Sequence, residues 1–298
     1  MPSLALDLDR PLDLGLTLRI HSHGPADPTT RREAGRLIRT TRTPDGPATL
    51  ALQIRDGRLH AEAWGPGADR ALAGVRALVG IDDEPARLDP GNRLVTELAR
   101  RMPGLRIGRS AYVFEALMPA ILEQKVTGTE AYNAYRVLVL AYGEPAPGPF
   151  RLMVAPDAAT IARLPYYAFH PLGVERRRAD TLRYAAARAS RLEETTELPL
   201  DVAYRRLTAL PGVGPWTAAE VALRALGDPD AVSVGDYHLP NLVSWALAGE
   251  PRAADDRMLQ LLEPYRGQRG RVVRLLEASG IRAPRYGPRM APRSIAGI

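Results

Sequence analysis

Residues 207–247 constrain the fold of this chain more than any other stretch, because they combine a tight turn with two helix-like flanks. They read LTALPGVGPWTAAEVALRALGDPDAVSVGDYHLPNLVSWAL. Gly212 and Gly214 tolerate backbone conformations that are closed to other residues, and they let a ligand approach the backbone closely. Pro215 suits the first turn of a helix, where its missing N–H costs nothing. The pattern predicts a hairpin between two helices over residues 207–226.

A helix that begins in this way has unpaired backbone amides at its N-terminus. The amides of Val213, Gly214 and Trp216 are therefore expected to be free donors. Such donors, together with the helix dipole, form a binding site for a phosphate group. An ordinary corner between two helices is the simpler interpretation of the turn when it is taken alone.

A single carboxylate, Asp236, follows Gly235 in the segment VGDY, twenty-four residues after Gly212. Two roles fit this position. Asp236 is suited to cap the N-terminus of a further helix. It is equally suited to act as a fixed carboxylate that stabilises a developing positive charge or orients a water molecule.

The composition favours a polyanionic partner. The chain of 298 residues carries a net charge of +6, and Lys125 is its only lysine, so the other 39 of its 40 basic residues are arginine. Arginine binds phosphate well, although a genome rich in G and C produces the same bias. The chain contains no cysteine, which excludes disulfides, thiolate zinc sites, cysteine nucleophiles and an iron–sulfur cluster.

The first 84 residues are predicted to form an α+β domain, an antiparallel sheet with a covering helix. Apolar residues alternate with polar ones, as in half-buried strands, over residues 14–20, 37–43, 48–55 and 58–63. Asp56 and Gly57 are typical of a tight turn between two strands. Residues 69–79 have the apolar spacing of a helix. No catalytic constellation is found in this domain.

Residues 85–298 are predicted to be helical, so the fold class is mainly α with an N-terminal α+β domain. The apolar spacing predicts helices over residues 114–126, 129–142, 198–210, 215–226 and 236–247. A basic cluster of Arg100, Arg101, Arg106 and Arg109 is either a solvated face or a phosphate contact. Residues 282–298 are rich in proline and arginine and are expected to be poorly ordered.

The chain is expected to be a monomer without a membrane partner. Its first residues carry aspartates and no long apolar run, and no stretch approaches the roughly 18 apolar residues that a membrane span requires. We therefore expect a soluble, cytoplasmic protein.

The segment LPGVGPWTA, followed by an apolar helix and then VGDY, resembles the helix–hairpin–helix DNA glycosylase superfamily, and within it the 3-methyladenine DNA glycosylase II branch. The resemblance runs from about residue 105 to residue 280. It implies the helical glycosylase domains, double-stranded DNA containing a damaged base as the partner, and a base that is flipped out of the duplex before it is cleaved.

The same resemblance assigns roles to single residues. Asp236 aligns with the essential aspartate of the family. The residues implied in DNA binding are Lys125, Gly212, Val213, Gly214, Trp216 and Thr217, with Lys125 where relatives carry an apolar wedge. A sodium or potassium ion is implied at the backbone carbonyls of Thr208, Leu210 and Val213, and no other cofactor is required.

Trp216 occupies the position at which strand-cutting relatives carry a lysine that forms a Schiff base. The resemblance therefore implies a monofunctional hydrolase that leaves an abasic site, without lyase activity. Lys125 leaves one alternative open, because its amine is able to react with the abasic aldehyde if it reaches the lesion.

The implied base pocket contains Gln124, Trp216, Glu220, Tyr237, His238 and Arg274. Three of these, Glu220, His238 and Arg274, stand where the well-known branch has aromatic or apolar residues. A pocket with these side chains offers hydrogen bonds or charge, and Arg274 is able either to pair with Glu220 or to bind a carbonyl oxygen. We therefore expect a shifted substrate range, unless these side chains point elsewhere.

Two functions follow from the sequence. The first is base-excision repair of alkylated or otherwise damaged purines by hydrolysis of the N-glycosidic bond. The alternative is a non-catalytic protein that binds lesions or unusual DNA structures. Asp236 favours the enzyme, because a carboxylate that faces the polyanionic DNA does not increase the affinity of a protein that only binds it.

Overall fold

A computed structural model describes residues 2–88 and 91–284 of the chain. The N-terminal part contains a five-stranded antiparallel sheet with the strand order β1-β5-β4-β3-β2. Its strands are β1 (Ser3–Asp7), β2 (Thr30–Glu33), β3 (Arg36–Thr43), β4 (Gly46–Arg55) and β5 (Arg58–Trp64). Asp56 and Gly57 both have positive φ values in the turn between β4 and β5, as predicted for that pair.

The predicted strand over residues 14–20 is wrong. Leu14–Leu18 form the short helix α1, because the Asp13 carboxylate accepts a hydrogen bond from the Leu16 amide and caps the first turn. Leu14 and Leu18, one turn apart, are both buried in the core beneath the sheet. The edge of the sheet is formed instead by β1, which pairs with β5 from Ser3↔Glu62 to Asp7↔Arg58.

The helix predicted over residues 69–79 is divided at Gly74 into α2 (Ala68–Ala73) and α3 (Val75–Leu78). The helical region that follows contains α4 (Arg93–Arg101), α5 (Val113–Leu122), α6 (Gly128–Tyr142), α7 (Ala158–Arg163), α8 (Tyr166–Phe169), α9 (Arg176–Ala186), α10 (Ala189–Glu193), α11 (Leu200–Thr208), α12 (Pro215–Val221), α13 (Leu239–Ala248), α14 (Asp255–Leu262) and α15 (Arg269–Ala278). Two short strands, β6 (Glu144–Pro145) and β7 (Met153–Val154), pair between α6 and α7.

Helix α12 lies between two apolar cores. Ala218 and Val221 pack in one core with α5, α6 and α9, whereas Ala219 and Ala222, the residue that follows α12, pack in the other with α4 and α13 to α15. This position explains why the helix is apolar on most of its surface. The hairpin at its start is thereby fixed to both halves of the helical region.

The four arginines of the predicted basic cluster (100, 101, 106 and 109) do not share one environment in the structure. Arg106 is buried, and its guanidinium donates to the backbone carbonyls of Arg10, Pro11 and Gly80. The alternative that Arg106 contacts a phosphate is therefore wrong, because its side chain is buried and its N–H groups already donate to backbone carbonyls. Arg100, Arg101 and Arg109 remain exposed.

The prediction of poor order for residues 282–298 falls almost entirely outside the described residues. Within the part of the chain that the structure describes, no helix is both long enough and apolar enough to cross a bilayer.

Candidate active site

The turn between α11 and α12 forms the predicted hairpin. The Val213 amide donates to the Leu210 carbonyl at 3.0 Å and closes the turn. Gly212 has a φ of +85°, and a Cβ added there would lie 2.2 Å from Oγ1 of Thr181 on α9. Only glycine fits this position, because both the backbone conformation and the close approach exclude a side chain.

The backbone amides of the hairpin differ from the prediction in one respect. The Val213 amide is not a free donor, because the turn already uses it, and the Val213 side chain is buried. The amides of Gly214 and Trp216 have no acceptor among residues 2–88 and 91–284. Two donors, rather than three, are therefore directed outward at the start of α12.

Asp236 is held by three donors and reaches the hairpin helix. Its Oδ1 accepts from the amides of His238 at 2.7 Å and of Leu239, the first residue of α13, at 2.8 Å, whereas His238 occupies the N-cap position of that helix. Its Oδ2 accepts from Nε1 of Trp216 at 3.1 Å. The carboxylate is half-buried. Asp236 thus lies two residues before the N-cap position that was predicted for it, yet it satisfies the first amide of α13 and keeps its second oxygen fixed next to α12.

The loop after α5 is fastened to the hairpin by Gln124. Its Nε2 donates to the Gly212 carbonyl at 3.0 Å and to Oγ1 of Thr217 at 2.9 Å. Thr217 is buried, so its side chain supports the hairpin from below. The next residue, Lys125, is exposed and has a φ of +55°, an unusual conformation for a residue with a side chain. The turn thus presents Lys125 to solvent beside the hairpin.

Glu220, one helical turn after Trp216, is bound internally. One carboxylate oxygen accepts from the Ser233 hydroxyl, and the other lies 2.8 Å from Nη2 of Arg224. Ser233 belongs to the same turn as Asp236, because its carbonyl accepts from the Asp236 amide. Glu220 therefore lies beside the loop that carries the candidate catalytic carboxylate.

Arg224 connects this loop to two other segments. Its Nε donates to the Ile20 carbonyl at 2.9 Å, and its Nη2 lies 3.7 Å from Glu123. Burial alone would raise the pKa of Glu123, but Arg224 and His23 lower it below its usual range. Burial raises the pKa of Glu220, and Arg224 opposes that rise. The i,i+4 spacing of Glu220 and Arg224 is visible in the sequence, whereas Glu123 and Ser233 carry no such signal.

Of the two alternatives for Arg274, the pairing with Glu220 is wrong. Arg274 is buried on α15, where it pairs with Glu277 at 2.8 Å and donates to the Leu16 carbonyl at 3.2 Å. It binds Glu277 because the two residues are three apart on one helix face, whereas Glu220 already has Arg224 one turn away.

Tyr237 and His238 lie on the surface next to Asp236. Tyr237 is 83% exposed, and its ring meets the exposed His238 ring edge-on at 4.9 Å. The structure thus brings Gln124, Trp216 and Asp236 together around the hairpin. It leaves Tyr237 and His238 facing solvent and encloses Arg274.

No protein-family model matches the chain. It is 34% identical over 179 residues to the probable bifunctional transcriptional activator/DNA repair enzyme AlkA of Mycobacterium tuberculosis. The matched region is 57% of this chain and 35% of that protein. The chain therefore spans about a third of the length of the mycobacterial relative. It is 28% identical over 203 residues to DNA-3-methyladenine glycosylase 2 of Escherichia coli, 67% of this chain and 70% of that protein.

Among solved structures, the 3-methyladenine DNA-glycosylase of Archaeoglobus fulgidus matches with a TM-score of 0.79. The match covers 93% of this chain and 98% of that one at 20% identity, and so it concerns the fold. It confirms the predicted fold class, mainly helical with an N-terminal α+β region.

The hairpin, the carboxylate beside it and these matches agree with the predicted resemblance to the helix–hairpin–helix DNA glycosylase superfamily. The names of the two sequence relatives agree with the predicted resemblance to the 3-methyladenine DNA glycosylase II branch.

Proposed function

We propose that the protein is a monofunctional DNA base-excision repair glycosylase that hydrolyses the N-glycosidic bond of alkylated or otherwise damaged purines. The observation that carries this proposal is the Asp236 carboxylate, which two backbone amides and the Trp216 indole hold beside the hairpin. The names of the relatives agree with this activity.

The chemistry requires a fixed negative charge. As the base departs, the sugar becomes positively charged at the carbon that loses it, and a carboxylate in a defined position stabilises that charge. The same group is able to orient or deprotonate the attacking water. Asp236 is suited to both tasks, since its contacts fix it without neutralising its charge.

The hairpin supplies the grip on the DNA backbone. The free amides of Gly214 and Trp216 are directed outward at the start of α12, where a phosphate is favoured. The base must leave the duplex to reach Asp236. Lys125, exposed on the turn that Gln124 fastens to the hairpin, is the residue best placed to enter the vacated space.

A sodium or potassium ion fits the hairpin as an additional ligand. The carbonyls of Thr208 and Val213 accept no hydrogen bond from the described residues, and the Leu210 carbonyl accepts only the one from Val213. Three neutral backbone oxygens on one turn suit an alkali cation. When bound, the ion would add positive charge next to the phosphate.

The absence of lyase chemistry is supported by the contacts of Trp216. Its indole N–H donates to Asp236 and is not a nucleophile. Lys125, the only lysine, is exposed on the turn after α5. We propose, in addition, that the protein acts as a nucleoid-associated cytoplasmic monomer on double-stranded DNA.

The first experiment is excision from duplex oligonucleotides that each carry one lesion: a 3-methyladenine-type base, 7-methylguanine, ethenoadenine, hypoxanthine or uracil. Samples are analysed with and without alkali, which cleaves the strand at abasic sites. Alkali-dependent cleavage supports a monofunctional glycosylase, and the lesion that is excised identifies the substrate. Cleavage without alkali contradicts monofunctionality and implicates Lys125. Lesion binding without cleavage anywhere in the set supports the non-catalytic alternative.

A further inference from the structure

Glu220 lies between two segments that contact α12. Because an α-helix has 3.6 residues per turn, Glu220 projects between the directions of Trp216 and Thr217, one turn further along the helix. The Trp216 indole meets the Asp236 carboxylate, and the Thr217 hydroxyl meets the side chain of Gln124. Glu220 is therefore placed between the loop that carries Asp236 and the turn that follows α5.

A second carboxylate, that of Glu123, reaches the same place from the turn after α5. Glu220 lies 2.8 Å from Nη2 of Arg224, and Glu123 lies 3.7 Å from the same nitrogen atom. The Glu220 and Glu123 side chains keep 17% and 19% of their surfaces exposed, so neither is sealed in the core. The two carboxylates thus form one acceptor pair that solvent still reaches.

This pair has unused capacity to accept hydrogen bonds. An ionised carboxylate has about four acceptor sites. Each Glu220 oxygen is contacted by one donor, the Ser233 hydroxyl on one side and Arg224 on the other. The contacts of Glu123 with Arg224 at 3.7 Å and with Nδ1 of His23 at 3.9 Å are longer than hydrogen bonds. A ligand that presents two neighbouring N–H donors is therefore suited to the pair.

The direction of α12 places the base of a flipped nucleotide at this pair. A phosphate at the free amides of Gly214 and Trp216 puts the DNA backbone at the start of the helix. The sugar then lies at Asp236, and the base extends away from the backbone towards Glu220. Trp216 and Glu220 are separated by about 6 Å of helix rise, similar to the reach of a purine from its sugar to its far edge.

We propose that Glu123 and Glu220 bind the Watson–Crick edge of the flipped base and select guanine-derived over adenine-derived lesions. Enzymes that flip a base read this edge through hydrogen bonds. In guanine it presents two adjacent donors, N1–H and the 2-amino group. In adenine it presents one donor, the 6-amino group, beside an acceptor nitrogen that a carboxylate repels, and in ethenoadenine it presents no N–H. The inference rests on the proposed function, because it takes Asp236 to be the carboxylate at the sugar.

Single-turnover excision by Glu123→Gln and Glu220→Gln tests this pair. The duplexes carry 7-methylguanine, a 3-methyladenine-type base or ethenoadenine, in a slightly acidic buffer that keeps N1 of 7-methylguanine protonated. The ratio of variant to wild-type rate is taken for each lesion, so the different lability of the lesions cancels. We expect each variant to lose about 10- to 100-fold on 7-methylguanine, the discrimination that a bidentate pair supplies, and to change little on ethenoadenine.

Glu62→Gln on the sheet is the matched control, because Glu62 also pairs with an arginine, Arg36 at 3.3 Å. Its three rates should equal those of wild type. Unchanged excision of 7-methylguanine by both pocket variants overturns the inference. An equal loss on 7-methylguanine and the 3-methyladenine-type base also overturns it, because both bases are cationic and the carboxylates then act through charge alone. An equal loss on all three lesions overturns it as well, since the two residues then serve only the structure.

The two proposals fail in different ways. If wild type excises only adenine-derived lesions, the glycosylase proposal stands and the guanine preference is wrong. If wild type excises nothing, the glycosylase proposal fails, and the pair is tested by the dissociation constant for the 7-methylguanine duplex. Weaker binding of that duplex by Glu123→Gln and Glu220→Gln then supports the pair, and binding equal to that of wild type overturns it.

Discussion

Replacing Asp236 by asparagine separates the two roles that its contacts allow. Oδ1 caps α13 through the His238 and Leu239 amides, and Oδ2 accepts from Trp216. Asparagine keeps a carbonyl oxygen for the cap and loses the negative charge. Alanine loses both. The two variants therefore have similar consequences for catalysis and different consequences for folding.

The expected magnitudes follow from these contacts. Asparagine caps a helix as well as aspartate does, so Asp236→Asn costs only the Trp216 hydrogen bond, about 1 kcal/mol of unfolding free energy. Asp236→Ala removes the cap as well, which costs roughly a further 1 kcal/mol. Both variants should lower the excision rate by about 10²–10⁴-fold, the usual contribution of a positioned acid or base.

The assay pairs single-turnover excision with denaturant unfolding. Asp255→Asn is the control. The Asp255 carboxylate, at the start of α14, accepts a hydrogen bond at 3.1 Å from the amide of Gly235, which is the residue before Asp236. This control should retain excision close to the wild-type rate. If Asp236→Asn excises at the wild-type rate while Asp236→Ala is merely less stable, Asp236 is a helix cap and the catalytic argument is refuted.

Four further substitutions test the surroundings of the site. Gly212→Ala should cost roughly 1–3 kcal/mol of stability through its positive φ and its blocked Cβ position. Gly214→Ala, which meets nothing within 4 Å, should be tolerated in the same thermal unfolding measurement. Trp216→Phe keeps a ring but loses the N–H, and should slow single-turnover excision about tenfold; an unchanged rate contradicts a positioning role. Arg224→Met leaves Glu220 buried without its cation and should cost roughly 3–5 kcal/mol. Burial raises the pKa of Glu220, and the loss of Arg224 raises it further. The free energy of unfolding of Arg224→Met should therefore fall as the pH rises from about 5 to about 8, because the folded state then has to hold an unpaired charge. An equal free energy of unfolding of this variant at both pH values, measured with denaturant, contradicts the argument.

The hairpin shows how much a local pattern is able to predict. Gly212 is required by its positive φ, which is local to the turn of six residues, 210–215, whereas its close approach to Thr181 of α9 is a tertiary contact. The strands β3, β4 and β5 and the turn at Asp56 were likewise predicted, because alternation and turn chemistry act over neighbouring residues. The strands β1 and β2 were not predicted, and α1 is too short for periodicity to distinguish a helix from a strand.

Side-chain partners were less predictable than elements. Arg106 looked like a surface cation in the sequence, yet its acceptors are backbone carbonyls at positions 10, 11 and 80. Pairing with Glu220 was one alternative for Arg274, and it pairs with Glu277 instead. Such choices depend on which elements pack together, since several acceptors of similar strength are available to each guanidinium.

The sequence alone determined the hairpin, the glycine at its tip and the carboxylate twenty-four residues later, because these depend on backbone conformation and spacing along the chain. Only the tertiary structure decided that the Asp236 carboxylate meets the Trp216 indole, and that Arg224 joins Glu220, Glu123 and the Ile20 carbonyl. The reason is physical: these contacts link residues that are distant in sequence, and a buried charge binds whichever partner the packed helices bring within reach.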